Sequence, residues 1–466
     1  MAAASDTQRD LSPRRTIGFA CNQAFVFFTL LTCLTSVLAS EAIGFASQSE
    51  ILLLLLFMVA GFTLVRAIGP SRFPRLFTRP LLYVYAVVAS AGLLAHILMA
   101  AQDNIALAAA SCALMGIPNA FMLTAWGRAF GSTPTENSVS EVFTGSLVGA
   151  LVCLVFSFAV DSTIAVGAMC LLPIASAFNI PDGNSNASAS QPPSNDAESA
   201  QSLSAKILAG TFLFGVAGGL LLLYRTPDYG WTLSVYQVSL ILYGAFLIGG
   251  LSLLLSDGFG RGAALNKSYR LAVFVMMVGV MIVPWPLFAT SILPGKAVVL
   301  AGFFGLEAVL ISLFLVLAEI TEVDCGLSFS TGFLALFAGQ LVGACGSTFA
   351  ADAIPESSLA FAIAAMAGTI ILIGYIFLFT ERDFDQLSQL VIESDSFETV
   401  CQDITDRFGL SKRESEILAF ALRGRTSERI AQELVISKST VDTHLRRIYA
   451  KCDVHSRQEL LDLAGL

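Results

Sequence analysis

Residues 51–65 read ILLLLLFMVAGFTLV, without a single charge or amide. A helix on the surface of a soluble protein carries polar residues on one side of every turn. This run carries none, so lipid or protein surrounds it on all sides. With its neighbours it covers 50–69, long enough to cross about 30 Å of hydrocarbon. Eleven more runs of this kind lie near 17–39, 80–100, 104–126, 139–160, 162–180, 205–225, 231–255, 271–288, 297–320, 330–350 and 358–380. The pattern predicts an all-α polytopic membrane bundle of about twelve transmembrane helices.

Composition agrees. The chain has 466 residues, 55% hydrophobic and 13% charged, with mean hydropathy +0.75. Soluble proteins carry roughly 25% charged residues. The charges are unevenly placed: 407–466 hold 11 of the 26 Lys and Arg but only 8 of the 35 Asp and Glu. The oily part is therefore acidic and the tail basic, which points to separate partners. SVLASE, 36–41, resembles a leader-cleavage site, but its apolar run is long and eleven spans follow.

Flanking charges set the orientation. With the N-terminus inside, Arg9, Arg14, Arg15, Arg66, Arg72, Arg75, Arg79, Arg128, Lys206, Arg261, Lys267, Arg270 and Arg382 fall on the cytoplasmic side. Only Arg225 and Lys296 fall outside. Twelve spans return the C-terminus to the cytoplasm. The expected location is the inner (cytoplasmic) membrane, multi-pass, with both termini cytoplasmic.

After a cytoplasmic N-terminus, 1–16, the spans divide six and six. The first membrane half is 17–180 and the second 205–380. Between them, 181–204 is Ser-, Asn- and Pro-rich and reads as a disordered cytoplasmic linker. FTGSLVGA, 143–150, matches FAGQLVGA, 337–344, at six of eight positions, in equivalent spans of the two halves. Both copies contain G-x-x-x-G, at Gly145/Gly149 and Gly339/Gly343, which lets helix backbones approach closely in lipid. That pairing is expected to join the halves. Two six-span halves around a cytoplasmic loop resemble the major facilitator topology. The loop between spans 2 and 3, RAIGPSRFPRLFTRP (66–80), lacks that family's acidic residue and glycine pattern, which counts against active transport.

Ionisable and amide groups at membrane depth are costly and usually functional. Glu307 lies near the middle of span 10, and Asn119 and Gln340 lie well inside spans 4 and 11. These three are the candidate ligand-sensing residues, with interhelical hydrogen bonding as the alternative for the two amides. Arg128 and Glu141 read as ordinary helix-end charges. Pro284 and Pro286 predict a kink or break in span 9. Nine cysteines, none in a C-x-x-C pair, read as small apolar residues. No catalytic constellation, phosphate-binding glycine loop or metal box is visible. No enzyme activity, cofactor or metal is expected.

An acidic linker, 381–407, leads to the domain 408–466. Four amphipathic helices are read there, over about 411–423, 427–434 and 438–451 and after Ser456. Ser411 with Glu414, and Ser456 with Glu459, have capping-box spacing. Val441, Leu445 and Ile448 form one buried stripe. Leu460, Leu461 and Leu463 are the inward residues of the last helix. The third helix presents Lys438, Ser439, Asp442, Thr443, Arg446, Arg447 and Lys451. A short turn followed by a basic-faced helix suits the major groove of double-stranded DNA.

Leu410, Arg413, Glu414, Glu416, Leu418, Gly424, Ile430, Ala431, Leu434, Ser437, Thr440, Val441, His444, Ile448, Tyr449, Lys451, Val454, Ser456, Arg457 and Leu460 carry a resemblance to the LuxR-type (GerE-like) helix-turn-helix. The resemblance implies a four-helix domain that binds DNA as a dimer, with the fourth helix at the dimer contact. It implies base reading by Asp442, Thr443 and Arg446, and backbone contacts from Lys438, Ser439, Thr440 and Lys451. Asp442 departs from the Lys common in the family, and Arg429 from the usual Glu. A multi-span module with this tail also resembles membrane-bound LuxR-type regulators of gut actinobacteria. The reading is a membrane-anchored one-component transcriptional regulator that senses a small molecule. The alternative is a facilitator-type transporter with a regulatory DNA-binding tail.

Overall fold

In the computed structural model, residues 12–34, 46–99, 104–133, 135–159, 163–181, 197–224, 232–255, 261–285, 288, 293–321, 323–378, 400–401, 403–422, 424–434 and 436–464 are described. Residues 36–41, most of the linker at 181–204 and residues 381–399 lie outside them. The chain forms two compact units, the helices up to Leu378 and those from 400 onward.

The first unit is all helix among the described residues. Its long helices are α1 Pro13–Leu34, α2 Ala46–Ile68, α3 Arg79–Met99, α4 Ile105–Phe130, α5 Thr135–Ser157 and α6 Thr163–Asn179. They continue with α7 Ala197–Leu222, α8 Leu233–Leu255, α9 Arg261–Ile282, α10 Gly295–Ile320, α11 Cys325–Ala353 and α12 Glu356–Ile373, which runs on into a π turn, Gly374–Leu378. Each of the twelve predicted spans has its helix. Eleven are long and apolar enough to cross a bilayer; α6, at 17 residues, is the short one. The protein is a multi-pass membrane protein. The two helix starts that differ most from expectation are those of α7, at Ala197 rather than 205, and α9, at Arg261 rather than 271. Of the kink or break expected at the prolines, the structure shows a break. The helix stops at Ile282, before Pro284, which has no amide hydrogen to continue it.

The packing repeats with an offset of six helices. In the first half α1 packs on α5 and α6, α2 on α4, and α3 on α4 and α6. In the second, α7 packs on α11 and α12, α8 on α10, and α9 on α10 and α12. Across the halves, α2 meets α11 as α8 meets α5. The octapeptide repeat thus sits in helices with the same neighbours.

The glycines of that repeat act inside each half, correcting the expectation that they join the halves. Gly145 and Gly149 face Thr16, Phe19, Ala20 and Gln23 of α1. Gly339 and Gly343 face the backbone of Phe212 and Val216 on α7, whose own Gly215 and Gly219 face Leu336 and Gln340 in return. Four glycines in register bring two backbones into contact, so a methyl group on any of them meets main chain.

Helix α10 is the most enclosed span, with 94% of its apolar window buried. Polar contacts near the N-terminal end of the unit lock the helices. Glu141 is fully buried and accepts from Arg15 Nη2 at 2.8 Å and from the Ser12 amide at 2.8 Å. Arg128 lies 3.8 Å from Asp324, the N-cap of α11, and its guanidinium covers Phe73 and Phe77 in the turn after α2. Neither charge is a simple helix-end residue: Glu141 anchors α5 to α1, and Arg128 links the halves.

The second unit has helical residues at 400–401 and 403–408, then α13 Lys412–Leu422, α14 Ser427–Glu433, α15 Lys438–Cys452 and α16 Arg457–Ala464. Ile417, Leu418, Ala421, Ile430, Val441, Ile448 and Leu460 form its core, with Leu434, Leu445 and Leu461 partly buried around it. Leu463, expected inside, is 37% exposed.

The glycine register gives a paired test. Gly343→Ala should destabilise the purified full-length protein by about 1–3 kcal/mol, because the added methyl meets the Val216 carbonyl. Gly249→Ala, at a site with open space around it, should leave the melting temperature in detergent unchanged or slightly raised. Equal effects of the two would break the account of this interface.

Candidate functional site

A cavity opens among α1, α2, α4, α7, α10 and α11, with about 960 Å³ of atom-free space, open solvent included. It follows α10 from Lys296 through Phe303 to Glu307. Eleven residues at 1.5 Å each make that about 16 Å. Its lining comes from the last turns of α1 and α7 and the first half of α10, all away from the end that carries Arg15 and Glu141. At the opposite end Trp126, Phe130 and Phe329 are buried, and the Trp126 indole donates to Ser176 Oγ at 2.9 Å.

All three residues singled out for sensing line this one cavity: Glu307, Asn119 and Gln340. Their helices, α10, α4 and α11, come from both halves. The Asn119 amide donates to the Met58 sulfur at 3.7 Å, a weak partner that leaves donor capacity free. Gln340 is 7% exposed and its Oε1 has no partner; the same holds for the hydroxyl of Thr29, a further lining residue. Glu307 has no hydrogen bond or ion pair among the described residues. Lys296 is engaged: its ammonium donates to the Tyr224 carbonyl at 2.9 Å and sits over the Tyr224 ring. The remaining wall is Phe25, Phe303, Phe304, Phe337 and aliphatic side chains. The site is therefore an apolar, aromatic cavity with a few unsatisfied acceptors. Sequence reading missed Lys296 and Thr29, because nothing local shows which face of a helix meets a cavity.

In the second unit, each helix start is capped as its sequence suggests. The Ser411 amide donates to Glu414 Oε2 at 2.8 Å, and the Glu414 amide to Ser411 Oγ at 3.4 Å. Thr426 and Ser437 accept from the amides of Arg429 and Thr440. Gly424, at φ 80°, ends α13 in a conformation that only glycine adopts without cost.

Helix α15 sorts its residues by face. Val441 and Ile448 are fully buried, while Lys438, Ser439, Thr440, Thr443, Arg446 and Arg447 are exposed and Asp442 is half-buried. The hydroxyl of Ser437 is hydrogen-bonded to those of both Ser439 and Thr440 at the helix start. Lys438 is paired with Glu428 of α14, which with nearby Asp442 raises its pKa. Lys451 is different. Its ammonium donates to Glu414 Oε2 at 2.7 Å and to the Gly409 carbonyl at 2.9 Å, clamping α15 to the start of α13. That gives it a structural role beside any contact with DNA. Arg457 likewise donates to the carbonyls of Ala421 and Arg425, tying α16 to the end of α13.

Residues 409–464 match the model of the bacterial regulatory proteins of the luxR family. The uncharacterized response regulatory protein YgeK of Escherichia coli is 39% identical over 87 residues, 18% of this chain and 59% of its own length. The monoamine regulon transcriptional regulator of Klebsiella aerogenes is 46% identical over 52 residues, 11% of this chain and 23% of its own. The uncharacterized transcriptional regulatory protein YxjL of Bacillus subtilis is 30% identical over 133 residues, 28% of this chain and 54% of its own. The chain thus spans less than two thirds of the length of each of these relatives. Among solved structures, the major facilitator superfamily transporter FucP in its outward conformation aligns with 78% of this chain and 97% of its own, at 12% identity and TM-score 0.49. The human organic anion transporter TETRAN covers 78% of this chain and 100% of its own, at 10% identity and TM-score 0.48.

The Lys451 clamp makes a pH prediction. Lys451, with the Ser411 amide, holds the Glu414 carboxyl down at about 2, from an ordinary 4.5. A depressed carboxylate stabilises the fold above its unfolded value and loses that contribution as pH falls toward the folded one. Glu414→Gln should cost about 2 kcal/mol at pH 7 and remove the loss of stability between about pH 4.5 and 2. Urea melts of residues 400–466 at several pH values check this.

Proposed function

We propose that this protein is a membrane-anchored, one-component transcriptional regulator: a luxR-family DNA-binding domain governed by a small molecule held in the membrane unit. The observation that carries the reading is the meeting of Glu307, Asn119 and Gln340, from both halves, at one cavity, in a chain that ends in a regulatory DNA-binding domain. A molecule that touches α4, α10 and α11 together binds differently when the halves move. It shifts their equilibrium by that difference in affinity. The unpartnered acceptors favour a largely apolar ligand bearing hydrogen-bond donors. The charge bias of the flanks supports an inner-membrane protein with both termini in the cytoplasm.

The tail binds promoter DNA through α15 in this reading. Ser439, Thr440 and Lys438 lie at its first turn, where amide hydrogens and hydroxyls suit a phosphate. Asp442, Thr443 and Arg446 face the bases, and Arg447 lies on the exposed side beside them. Lys451 supports this surface by holding α15 in place. Two domains pair on DNA through α16, where Leu463 is an exposed apolar residue.

The same cavity also suits a passing solute, so a facilitator-type transporter with a regulatory tail is the second reading. Counterflow in proteoliposomes, using an inducer found by reporter screening, separates the two: a regulator binds it without moving it.

Three variants test the main reading. Arg446→Ala should lower specific affinity by about 1–3 kcal/mol and relax base preference. Equal loss on specific and random DNA would place Arg446 on the backbone instead. Asp442→Lys should raise non-specific affinity and steepen its salt dependence by about one phosphate contact. Glu307→Gln should leave protein level and DNA affinity unchanged and abolish the reporter's response to inducer. A normal response would move the sensing site elsewhere.

A further inference from the structure

Outside the cavity, α1 to α4 bring two cysteines, a histidine and a glutamate together. Cys33 lies in the last turn of α1, Glu50 near the start of α2, His96 in the last turn of α3 and Cys112 two turns into α4. Cys33 and Cys112 are fully buried and His96 is 4% exposed. The Cys33 sulfur lies 3.8 Å from His96 Nε2, with the Cys112 thiol as its neighbour. Cys112 donates to the Glu50 carbonyl at 3.5 Å, and the Glu50 carboxylate lies 4.0 Å from His96 Nε2.

The hydrogen bonds fix the imidazole tautomer. Ser111 Oγ donates its one proton to the Ala108 carbonyl at 2.9 Å. It can therefore only accept from His96 Nδ1, 3.3 Å away. Nε2 is left without a proton, facing the Cys33 thiol. This is a nucleophile with an oriented base and a carboxylate beside it, an arrangement that separate helices hide from sequence inspection.

We propose that Cys33 and Cys112 are a redox pair, oxidised to a disulfide by a peroxide, with His96 as the proton acceptor for Cys33. His96 Nε2 takes the Cys33 proton, and the Glu50 carboxylate faces the imidazolium that forms. The Cys33 sulfur attacks one peroxide oxygen and the O–O bond breaks. The departing oxygen takes the proton back from His96 and leaves as water or, from an organic peroxide, as an alcohol. Cys33 is left as a sulfenic acid. The Cys112 sulfur then attacks the Cys33 sulfur, the S–O bond breaks, and the hydroxyl leaves as water with the Cys112 proton. Two thiols lose two electrons and the peroxide gains them. Leu30, Leu54 and Met115, one turn from Cys33, Glu50 and Cys112, line the cavity. The disulfide therefore ties α1 to α4 at the cavity wall.

The test treats full-length protein in membranes with hydrogen peroxide, blocks remaining thiols with N-ethylmaleimide and maps the peptides by mass spectrometry. A Cys33–Cys112 linkage should form ahead of any other cysteine pairing and reverse with dithiothreitol. It should be absent in Cys33→Ser and Cys112→Ser. His96→Gln should slow it at least about tenfold, with Ser111→Ala, which frees the tautomer, slowing it less. Failure of the linkage in the wild-type chain, or its formation no faster than other pairings, overturns the proposal. A His96→Gln protein that melts normally and oxidises at the wild-type rate overturns the role of His96.

Discussion

Hydrocarbon offers no partner for a backbone amide, and the architecture of the first 378 residues follows from that. Every spanning segment must satisfy its own main chain, so each apolar run becomes a helix. Helices in lipid gain nothing from hiding apolar side chains from other apolar groups. They associate through close contact and through the few polar groups they share. Gly215, Gly219, Gly339 and Gly343 supply the contact between α7 and α11. Arg15 with Glu141 supplies a polar lock between α1 and α5. A buried ion pair of this sort is weak evidence for stability, but losing one partner strands the other charge. Both devices sit within a half; across the seam α2 meets α11, α5 meets α8 and Arg128 meets Asp324, beside the cavity.

The tail obeys the opposite rule. Water surrounds it, so a small apolar core and capped helix ends hold it together. Its charged residues then divide by task. Glu414, Lys451 and Arg457 spend their hydrogen bonds on carbonyls and on each other, and Gly424 supplies a left-handed turn. Many residues that carry the family likeness are thus residues of the fold. The exposed face of α15 carries Lys438, Ser439, Thr443, Arg446 and Arg447, which the core does not use.

Burial of polar groups links the two membrane features. The cavity gathers Glu307, Gln340 and Thr29, while the cluster at Cys33 gathers a thiol pair, an imidazole and a carboxylate. An unpaired buried polar atom costs free energy, so each such atom asks for a partner. In the cavity that partner is a ligand in our reading. At the cysteine cluster the partners are already present, and what remains is chemistry between them.

The sequence alone determined the twelve helices, the linear division into membrane unit and tail, and the four helices of the tail. Hydropathy and capping act between residues close in the chain, and local terms decide them. Glu307, Asn119 and Gln340 were legible one by one, because a polar group in an apolar run is conspicuous. That they share a cavity was not, since their helices meet only in three dimensions. The pairing of Arg15 with Glu141, 126 positions apart, and of Cys33 with His96 and Cys112 was equally invisible. So was the difference between Lys451 and Arg446, two basic residues less than two turns apart on one helix. Only the approach of Glu414 made the first structural, because a charge takes its role from whatever packing brings within reach.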